Sequence, residues 1–269
     1  MRYFSAAGAV SFIVCAAVLQ AASILPLVHL DGPTLKIFQD YIAEFEKTGL
    51  APFNSAGKLW IDGECCMKKS TFDSGKNVVE PRLNKDMGAG SIHHFTGTLH
   101  IPGGTIEAVR RIMQDYPKYP RYFAPDVSQA SGEVQPDSTP NDEHFHSKLT
   151  LTESTLWINV EYHTSYDTHY VSLDPNHWVS RSTSLSIKEL LDPTNAARGY
   201  YPEGDDHGFL WRTNTYWFVR QAKGGIDVEA NSITLSRPSP LGFGWWGTKR
   251  TREAVDKMLR DLKSAIDAK

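Results

Sequence analysis

The chain has 269 residues, of which 41% are hydrophobic, 22% charged and 11% aromatic. This is the composition of a globular protein, and it excludes a disordered, collagen-like, coiled-coil or disulfide-dense protein. Lys and Arg number 28 against 31 Asp and Glu, so the formal net charge is −3. We expect no nucleic acid partner, because phosphate binding depends on a surplus of clustered Lys and Arg.

The first 25 residues have the pattern of an export signal. A short basic start is followed by an apolar, alanine-rich run from Ala6 to Leu19 and by small residues at 21–23. These are the three parts of a secretory signal, and Pro26 fits a cleavage region better than a continuing helix. We predict an exported protein, periplasmic or extracellular, with cleavage as the main expectation. A retained N-terminal membrane anchor is the alternative.

The cysteines do not form a disulfide framework. Cys15 lies in the signal segment, which leaves the adjacent pair Cys65 and Cys66. Neighbouring cysteines join only through a strained ring, because their Cα spacing is below the usual disulfide range. Two thiols alone are also too few for a structural zinc site. We expect a free or vicinally paired couple in a loop.

Residues 26–90 are predicted to form an N-terminal helix and an irregular extension. Asp31 precedes Gly32 and Pro33, a pattern that favours a helix start, and Gly49 ends the run. Apolar residues recur between them at helical spacing: Leu35, Phe38, Ile42 and Phe45. Residues 50–90 are rich in Gly, Asn, Lys, Asp and Ser, and we expect turns and short strands that cover the main domain.

Residues 91–269 are predicted to form one α+β domain. A strand over 92–101 precedes a helix that Thr105 caps. Period-two patterns then predict strands at 127–135, 143–153, 155–164, 167–173, 177–190, 207–222 and 225–237. The chain closes with an amphipathic helix over 248–268. A curved antiparallel sheet with this helix in its concave side buries both apolar faces, and the curvature commonly leaves a ligand cavity between them.

Four segments of this domain carry a family resemblance. They are IHHFTGTLHIPG at 92–103, MQDY at 113–116, DHGFLWRTNTYW at 206–217 and GGIDVEANSITLSR at 224–237. The chain resembles the START-like, helix-grip superfamily, also called SRPBCC, and within it an exported bacterial group of unsettled activity. The resemblance implies a helix-grip fold and a ligand cavity beneath the C-terminal helix. It leaves the chemistry open, because carriers, sensors and enzymes share such cavities.

A polar set alternates along the last two predicted strands. Arg212, Asn214 and Tyr216 share one face of their strand, and Glu229 and Asn231 share one face of the next. The turn at 223–225 predicts an antiparallel hairpin. Its register pairs Arg212 with Leu235, Tyr216 with Asn231, and Phe218 with Glu229.

Two interpretations of this polar set compete. By hydrophobicity alone, the other face of these strands should point into the core, because it carries Phe209, Trp211, Trp217 and Val219. So distinctive a polar pattern is unusual for solvent-facing positions, and we predict that it forms a network at one end of the cavity. A cross-strand ladder on the surface is the alternative. The predicted ligand-binding residues are Arg181, Trp211, Arg212, Asn214, Tyr216, Glu229, Trp245 and Trp246.

The segment GFGWWG at 242–247 matches a dinucleotide fingerprint literally. Prolines interrupt its approach and no parallel strand follows the last helix, so its context excludes a βαβ unit. We interpret it as an aromatic loop at the cavity mouth. Trp245 and Trp246 would then cap a ligand or contact a membrane surface, although packing against the sheet is an equal alternative.

Histidines raise the question of a metal site. His144 and His146 share one face of a strand, His163 and His169 lie on neighbouring candidate strands, and Glu143 and Glu161 are near in sequence. Two histidines at this spacing plus a third ligand can bind zinc. An antiparallel sheet also shows such polar residues to water. We favour this exposed polar face, and we predict neither a metal nor a cofactor.

These features together favour an exported binding protein. Its ligand would be an apolar or amphipathic small molecule, lipid- or polyketide-like, held between the sheet and the C-terminal helix. A cyclase- or hydrolase-type enzyme in the same cavity is the alternative, and its mark would be a buried titratable residue with a shifted pKa. The candidates are Tyr216, Glu229, Arg181 and His207. A structural role with a filled cavity is the third possibility.

Overall fold

The predicted α+β class is confirmed. In the computed structural model, eight antiparallel strands form one sheet, and the long C-terminal helix packs on one of its faces. The structure describes residues 26–64, 67–154, 159–238 and 244–268. The predicted signal segment and the pair Cys65 and Cys66 lie outside these ranges. None of the helices within them is long and apolar enough to span a bilayer.

The elements run from a helical extension to a sheet and then to the final helix. The helices are α1 (Gly32–Thr48), α2 (Ala51–Ala56), α3 (Met67–Asp73), α4 (Ile106–Gln114), α5 (Tyr119–Tyr122) and α6 (Gly244–Asp267). The strands are β1 (Val28–His29), β2 (Val78–Met87), β3 (Gly90–Pro102), β4 (Val127–Val134), β5 (Asp142–Ser154), β6 (Asn159–Asp174), β7 (His177–Glu189), β8 (Asp205–Asp206), β9 (Arg212–Ala222) and β10 (Gly225–Ser236).

The main sheet has the order β2-β3-β10-β9-β7-β6-β5-β4, and β1 pairs separately with β8. The predicted hairpin register is confirmed: Leu235 pairs with Arg212, Asn231 with Tyr216, and Glu229 with Phe218. The two strands expected at 155–164 and 167–173 are instead the single strand β6. No strong turn residue separates them, so the period-two pattern continues.

One face of the sheet, which we call the helix face, packs against α4 and α6. Val255, Leu259 and Leu262 of α6 are buried there, as the amphipathic pattern predicts. Gly97 of β3 gives the helix room, because a Cβ at this position would come within 2.7 Å of Leu259 and 2.8 Å of Val255. The apolar stripe of α6 therefore lies directly on the centre of β3.

The opposite face, which we call the extension face, is covered by α1, α2 and α3. The start of α1 is as predicted, since Asp31 Oδ1 accepts a hydrogen bond from the Thr34 backbone N–H at 2.7 Å. The expectation of turns and short strands after residue 50 is wrong for 51–73, which form α2, a 3₁₀ turn and α3. Phe53, Ile61 and Phe72 are buried against the sheet, so tertiary burial stabilises helices too short to be stable alone.

Strand β2 also differs from the irregular structure expected before residue 91. It is an edge strand of the main sheet and pairs with β3 along nearly its whole length, from Val78 opposite Thr98 to Met87 opposite Gly90. A shift in register between Pro81 and Leu83 interrupts the pairing. Proline is tolerated here because an edge strand leaves some backbone N–H groups without a ladder partner.

Candidate functional site

The predicted polar set lies on the extension face of the sheet. Tyr216 packs in the cluster beneath the extension helices, whereas its neighbour Trp217 packs in the cluster with α6. The prediction that this set lines a cavity under the C-terminal helix is therefore wrong. Hydrophobicity decides the orientation, because α6 offers an apolar stripe and the apolar positions of β9 and β10 turn toward it.

The alternative of a surface ladder is wrong as well. Tyr216, Glu229 and Asn231 are at most 4% exposed, because the extension helices cover them. A buried polar group needs a hydrogen-bond partner. The arrangement of these residues is therefore a buried network between the sheet and the extension.

A pocket of about 620 Å³ lies over this network and is partly open to solvent. Its floor is the extension face of β3, β9 and β10, and its walls come from α1, α2 and the segment that follows them. The residues on which its chemistry depends are Tyr41, Phe45, Phe53, Lys58, Trp60, Arg82, His94, Thr96, Phe218, Glu229 and Asn231. The pocket thus has aromatic side chains on its walls and at Phe218, and polar side chains over the rest of its floor.

A continuous chain of hydrogen bonds forms the floor. Glu229 accepts from the Trp60 backbone N–H at Oε2 (2.6 Å) and from Asn231 Nδ2 at Oε1 (2.8 Å). Asn231 Oδ1 accepts from Thr96 Oγ1 (2.5 Å) and from His94 Nε2 (3.0 Å). The Tyr41 hydroxyl then donates to His94 Nδ1 (2.8 Å). This pattern assigns a neutral imidazole that carries its proton on Nε2.

Burial shifts the pKa values of the two titratable groups in opposite directions. It raises the pKa of Glu229 to about 7, against the opposing hydrogen bonds from Asn231 and Trp60. It lowers the pKa of His94 to about 4, against the hydrogen bond to Asn231. Desolvation disfavours the charged form in both cases. Near neutral pH the imidazole is uncharged and Glu229 exists in both protonation states.

Arg220 fixes the outer wall of the pocket to the sheet. Its guanidinium donates to both carboxylate oxygens of Asp62, at 2.5 and 2.9 Å, and to the Gly57 carbonyl at 3.1 Å. The same group bonds Asp227 of β10 at 2.9 and 3.0 Å. A bidentate arginine–carboxylate pair adds geometric specificity. The segment that carries Trp60 is thereby held against β9 and β10.

Of the eight predicted ligand-binding residues, Glu229 lines this pocket. Tyr216 lies next to it, and its hydroxyl donates to Glu46 Oε1 of α1 at 2.9 Å. Asn214 Nδ2 donates to Thr183 Oγ1 at 2.9 Å and faces the Tyr216 hydroxyl at 3.4 Å. These two side chains connect the sheet to α1.

Arg181, Trp211 and Arg212 lie apart from the pocket. Arg212 forms an ion pair with Glu203 at 2.9 Å, and Trp211 is buried in the extension-face cluster, where its Nε1 donates to Asp206. Arg181 is half-buried on β7, directly opposite Tyr216. The prediction that Trp245 and Trp246 lie in a loop before the last helix is wrong, because α6 already begins at Gly244; the side chains of both tryptophans lie outside the described residues.

The pocket residues that the sequence analysis missed come from distant parts of the chain. Tyr41 and Trp60 belong to the extension, and no sequence pattern predicts which face of the sheet the extension covers. His94 and Thr96 alternate on β3 and could have been identified as one strand face. Their partner in the network, Asn231, was included in the predicted polar set.

The helix face has a polar region of its own along β6 and β7. Tyr162 and Tyr170 occupy the same face of β6, together with buried Thr164 and Thr168. Within the described residues the Tyr162 hydroxyl and Trp178 Nε1 are buried without a hydrogen-bond partner. Such orphaned atoms are rare in a packed core.

The enzyme candidate His207 lies in a separate buried cluster. Its Nδ1 bonds a carboxylate oxygen of Glu189, and both residues are at most 3% exposed. The preceding Asp206 has its pKa raised to about 6 by burial, against a hydrogen bond from the Gly208 backbone N–H. These residues do not line the pocket over Glu229.

No model of a known protein family matches the sequence, and no curated protein matches it. Solved structures that are similar to this chain include START-superfamily proteins. A STAR-related lipid transfer protein fragment from Xanthomonas axonopodis is 15% identical with a TM-score of 0.44, over 70% of this chain and 98% of that one. A START superfamily protein from Mycobacterium smegmatis is 10% identical with a TM-score of 0.44, over 65% and 97%. Human STARD10 is 11% identical with a TM-score of 0.43, over 88% and 81%. Likeness at this level concerns the fold alone.

Proposed function

We propose that the protein binds an amphipathic small molecule in the pocket between the extension and the sheet. The observation that carries this proposal is the combination of an aromatic wall with the buried chain Glu229–Asn231–His94 at the floor. A volume of about 620 Å³ is in the usual range for small-molecule sites, which are mostly apolar with a few placed polar groups.

The two parts of the pocket have separate roles in this proposal. Phe45, Phe53 and Phe218 bury the apolar body of the ligand, and Trp60 extends that surface toward the mouth. Glu229 receives the polar end, because its carboxyl has a pKa of about 7 and can donate or accept a hydrogen bond near neutrality. An unpaired buried polar group would penalise a ligand that lacks a matching group.

Native mass spectrometry of protein purified gently from its own source tests this proposal. We expect a co-purifying amphipathic molecule, and we expect Trp60→Ala to weaken its binding about tenfold, which corresponds to about 1.4 kcal/mol. Glu229→Gln should change which polar head group is retained. Arg212→Ala is the matched control, because this residue lies on β9 but pairs with Glu203 outside the pocket.

The predicted cavity between the sheet and α6 is the competing location. In the part of the chain that the structure describes, the Tyr162 hydroxyl and Trp178 Nε1 are buried on that face without a hydrogen-bond partner, which supports it. If Tyr162→Phe and Trp178→Phe release the ligand while Trp60→Ala and Glu229→Gln do not, the ligand lies on the helix face and the pocket proposal fails. A protein that carries no ligand and takes up none would overturn both locations.

An enzyme is the second candidate function, and Glu229 favours it. A buried carboxyl with a pKa of about 7 at the floor of a pocket is typical of a general acid or base. We therefore expect, for an enzyme, that Glu229→Gln still binds the extracted molecule but no longer changes its mass. If the wild type also leaves the molecule unchanged, the binding function stands alone.

We also propose that the protein is exported, on the basis of its N-terminal sequence pattern. N-terminal sequencing of the mature protein should find a start between about Ala22 and Leu27, as the small-residue cleavage pattern predicts. Recovery of intact Met1 from a membrane fraction would instead support an anchor. Contact of Trp245 and Trp246 with a membrane surface is part of the same proposal, and vesicle flotation of a Trp245→Ala, Trp246→Ala variant tests it.

A further inference from the structure

Four side chains form a square on β5 and β6, on the face opposite Phe145 and α6. His144 lies directly opposite His169, and His146 lies directly opposite Asp167. Positions two apart on a strand share a face, and directly opposed residues place their Cβ atoms roughly 5 Å apart. We call these four residues the histidine square.

The imidazole groups of the square converge on one carboxylate. His144 Nε2 lies 2.6 Å and His146 Nε2 3.1 Å from Asp167 Oδ1. His169 Nε2 lies 3.9 Å from Asp167 Oδ2. The donor atoms of His144, His146 and Asp167 are all within 4.8 Å of one another. These three groups each offer one ligand atom to a common cation, and His169 supplies a fourth once its ring turns out of the stack with His144, where the centroids are 4.3 Å apart.

Two further carboxylates contact the Nδ1 atoms of His144 and His169 and orient the two rings. Asp137 Oδ1 lies 2.6 Å from His144 Nδ1, and Asp142 Oδ1 lies 2.8 Å from His169 Nδ1. In metal sites a ligating histidine commonly donates its other N–H to a carboxylate, which fixes the ring and directs the second nitrogen at the metal. The contacts of Asp137 with His144 and of Asp142 with His169 have this carboxylate–histidine arrangement.

The nitrogens of the square divide into an inner and an outer set. The Nε2 atoms of His144, His146 and His169 lie 2.6, 3.1 and 3.9 Å from Asp167, whereas the Nδ1 atoms of His144 and His169 lie against Asp137 and Asp142. A divalent cation bound at the inner nitrogens would leave the outer Nδ1–H groups free to donate to those carboxylates. Arg181 lies opposite His169 on β7 and adds positive charge.

We propose that the histidine square binds a divalent first-row transition metal, with Zn²⁺ as the best match. Three imidazole nitrogens and one carboxylate oxygen are a four-coordinate donor set that zinc accepts. The sheet holds the four ligands on two adjacent strands, and the carboxylates of Asp137 and Asp142 offset the nearby Arg181. The site is separate from the pocket over Glu229.

Isothermal titration of the full chain with ZnCl₂ tests the proposal, after dialysis against a chelator. We expect one equivalent of Zn²⁺ to bind, and a His144→Ala, His169→Ala double variant to lose this binding. Asp137→Asn should weaken the affinity by about 10- to 100-fold, as expected for an orienting partner. Co²⁺ in place of zinc should give the visible absorption of a tetrahedral ion.

Controls separate this site from other zinc ligands in the chain. His163→Ala should bind Zn²⁺ like the wild type, because His163 contacts Tyr200 outside the square. Replacing Cys65 and Cys66 by serine should also leave the stoichiometry unchanged. His146 is half-exposed, with 49% of its side chain accessible, so His146→Ala serves if the double variant does not fold. Absence of saturable binding, or binding that these ligand variants do not weaken, overturns the proposal.

Discussion

The two faces of the sheet bury their side chains by different means. On the helix face, Leu259 and Val255 of α6 pack on Phe95 and Leu99 of β3, and the cluster there is largely apolar. On the extension face, β3 and the neighbouring β10 bury His94, Glu229 and Asn231 beneath helices that are short and irregularly spaced. One face is stabilised mainly by area removed from water, and the other also requires every polar partner to be present.

This difference supports the extension face as the location of the proposed binding function. An apolar cluster tolerates exchange of similar side chains and is indifferent to ligand chemistry. A buried polar network loses stability when a single member is missing, because the partners left behind keep their desolvation cost. The extension face therefore has the chemical selectivity that a ligand site requires, at a cost in robustness.

The largest expected effect concerns the helix face. Leu259→Ala should lower the free energy of unfolding by roughly 2–5 kcal/mol, because the side chain is fully buried and leaves a cavity. Urea unfolding measures this change. Lys263→Ala, on the exposed side of the same helix, is the control and should change stability by less than about 0.5 kcal/mol. A similar midpoint for both variants would mean that α6 does not dock as described.

The extension face should respond strongly to the loss of one amide. Asn231→Leu keeps the branched shape but removes the bonds that Asn231 makes with Glu229 Oε1, Thr96 Oγ1 and His94 Nε2, and we expect a loss of about 3 kcal/mol at roughly 1 kcal/mol or more for each buried atom left unbonded. Thr96→Val removes a single bond and should cost about 1 kcal/mol. Equal losses in the two variants, measured by urea unfolding, would contradict a connected network.

The pH dependence of stability separates the two titratable groups. The folded-state pKa of Glu229 is about 7 and its ordinary value 4.5, so its contribution is present below pH 4.5 and is lost as pH rises to 7. The folded-state pKa of His94 is about 4 against 6.5, so stability is gained as pH rises from 4 to 6.5. Each group changes the free energy of unfolding by at most about 3 kcal/mol over its pH range. The two changes have opposite signs and nearly cancel in the wild type.

Single variants should expose each slope in urea unfolding from pH 4 to 8. Glu229→Gln leaves the His94 contribution, so stability should rise with pH up to about 6.5. His94→Gln leaves the Glu229 contribution, so stability should fall between about pH 4.5 and 7. If both variants keep the wild-type profile, the two groups are not buried as described.

The smallest effect concerns the link between the sheet and α1. Tyr216→Phe removes the hydroxyl that donates to Glu46 at 2.9 Å and keeps the ring, so we expect a loss of about 1 kcal/mol. Phe45, which packs on the same ring at 5.0 Å between centroids, keeps its contact. A loss as large as that of Asn231→Leu would assign Tyr216 to the network itself.

The sequence predicted the secondary-structure elements more completely than the residues of the pocket. Alternation along β9 and β10 gave the correct register, because a short turn fixes the pairing and period two fixes the faces. The choice between faces depends on what covers each one. The polar residues Glu229 and Asn231 were therefore identified together and assigned to the wrong side of the sheet.

The sequence predicted part of the histidine square. His144 and His146 share a face by their spacing, and His169 was among the candidate third ligands. Asp167, Asp137 and Asp142 were not considered, because their proximity depends on how β5 and β6 pair. Glu143 proved to lie on the other face, where it bonds Arg110 at 2.7 Å, and His163 pairs elsewhere. The register between β5 and β6 therefore determines which side chains come together as the proposed metal ligands.

The sequence by itself determined most strands of the main sheet, the apolar stripe of α6 and the register of the last hairpin. These features depend on spacing within about twenty residues, where side-chain periodicity and turn chemistry act directly. Only the tertiary structure decided that the extension covers the polar face. Trp60 and Glu229 are 169 residues apart, and their contact forms because short helices bury their apolar residues wherever the sheet offers an uncovered face.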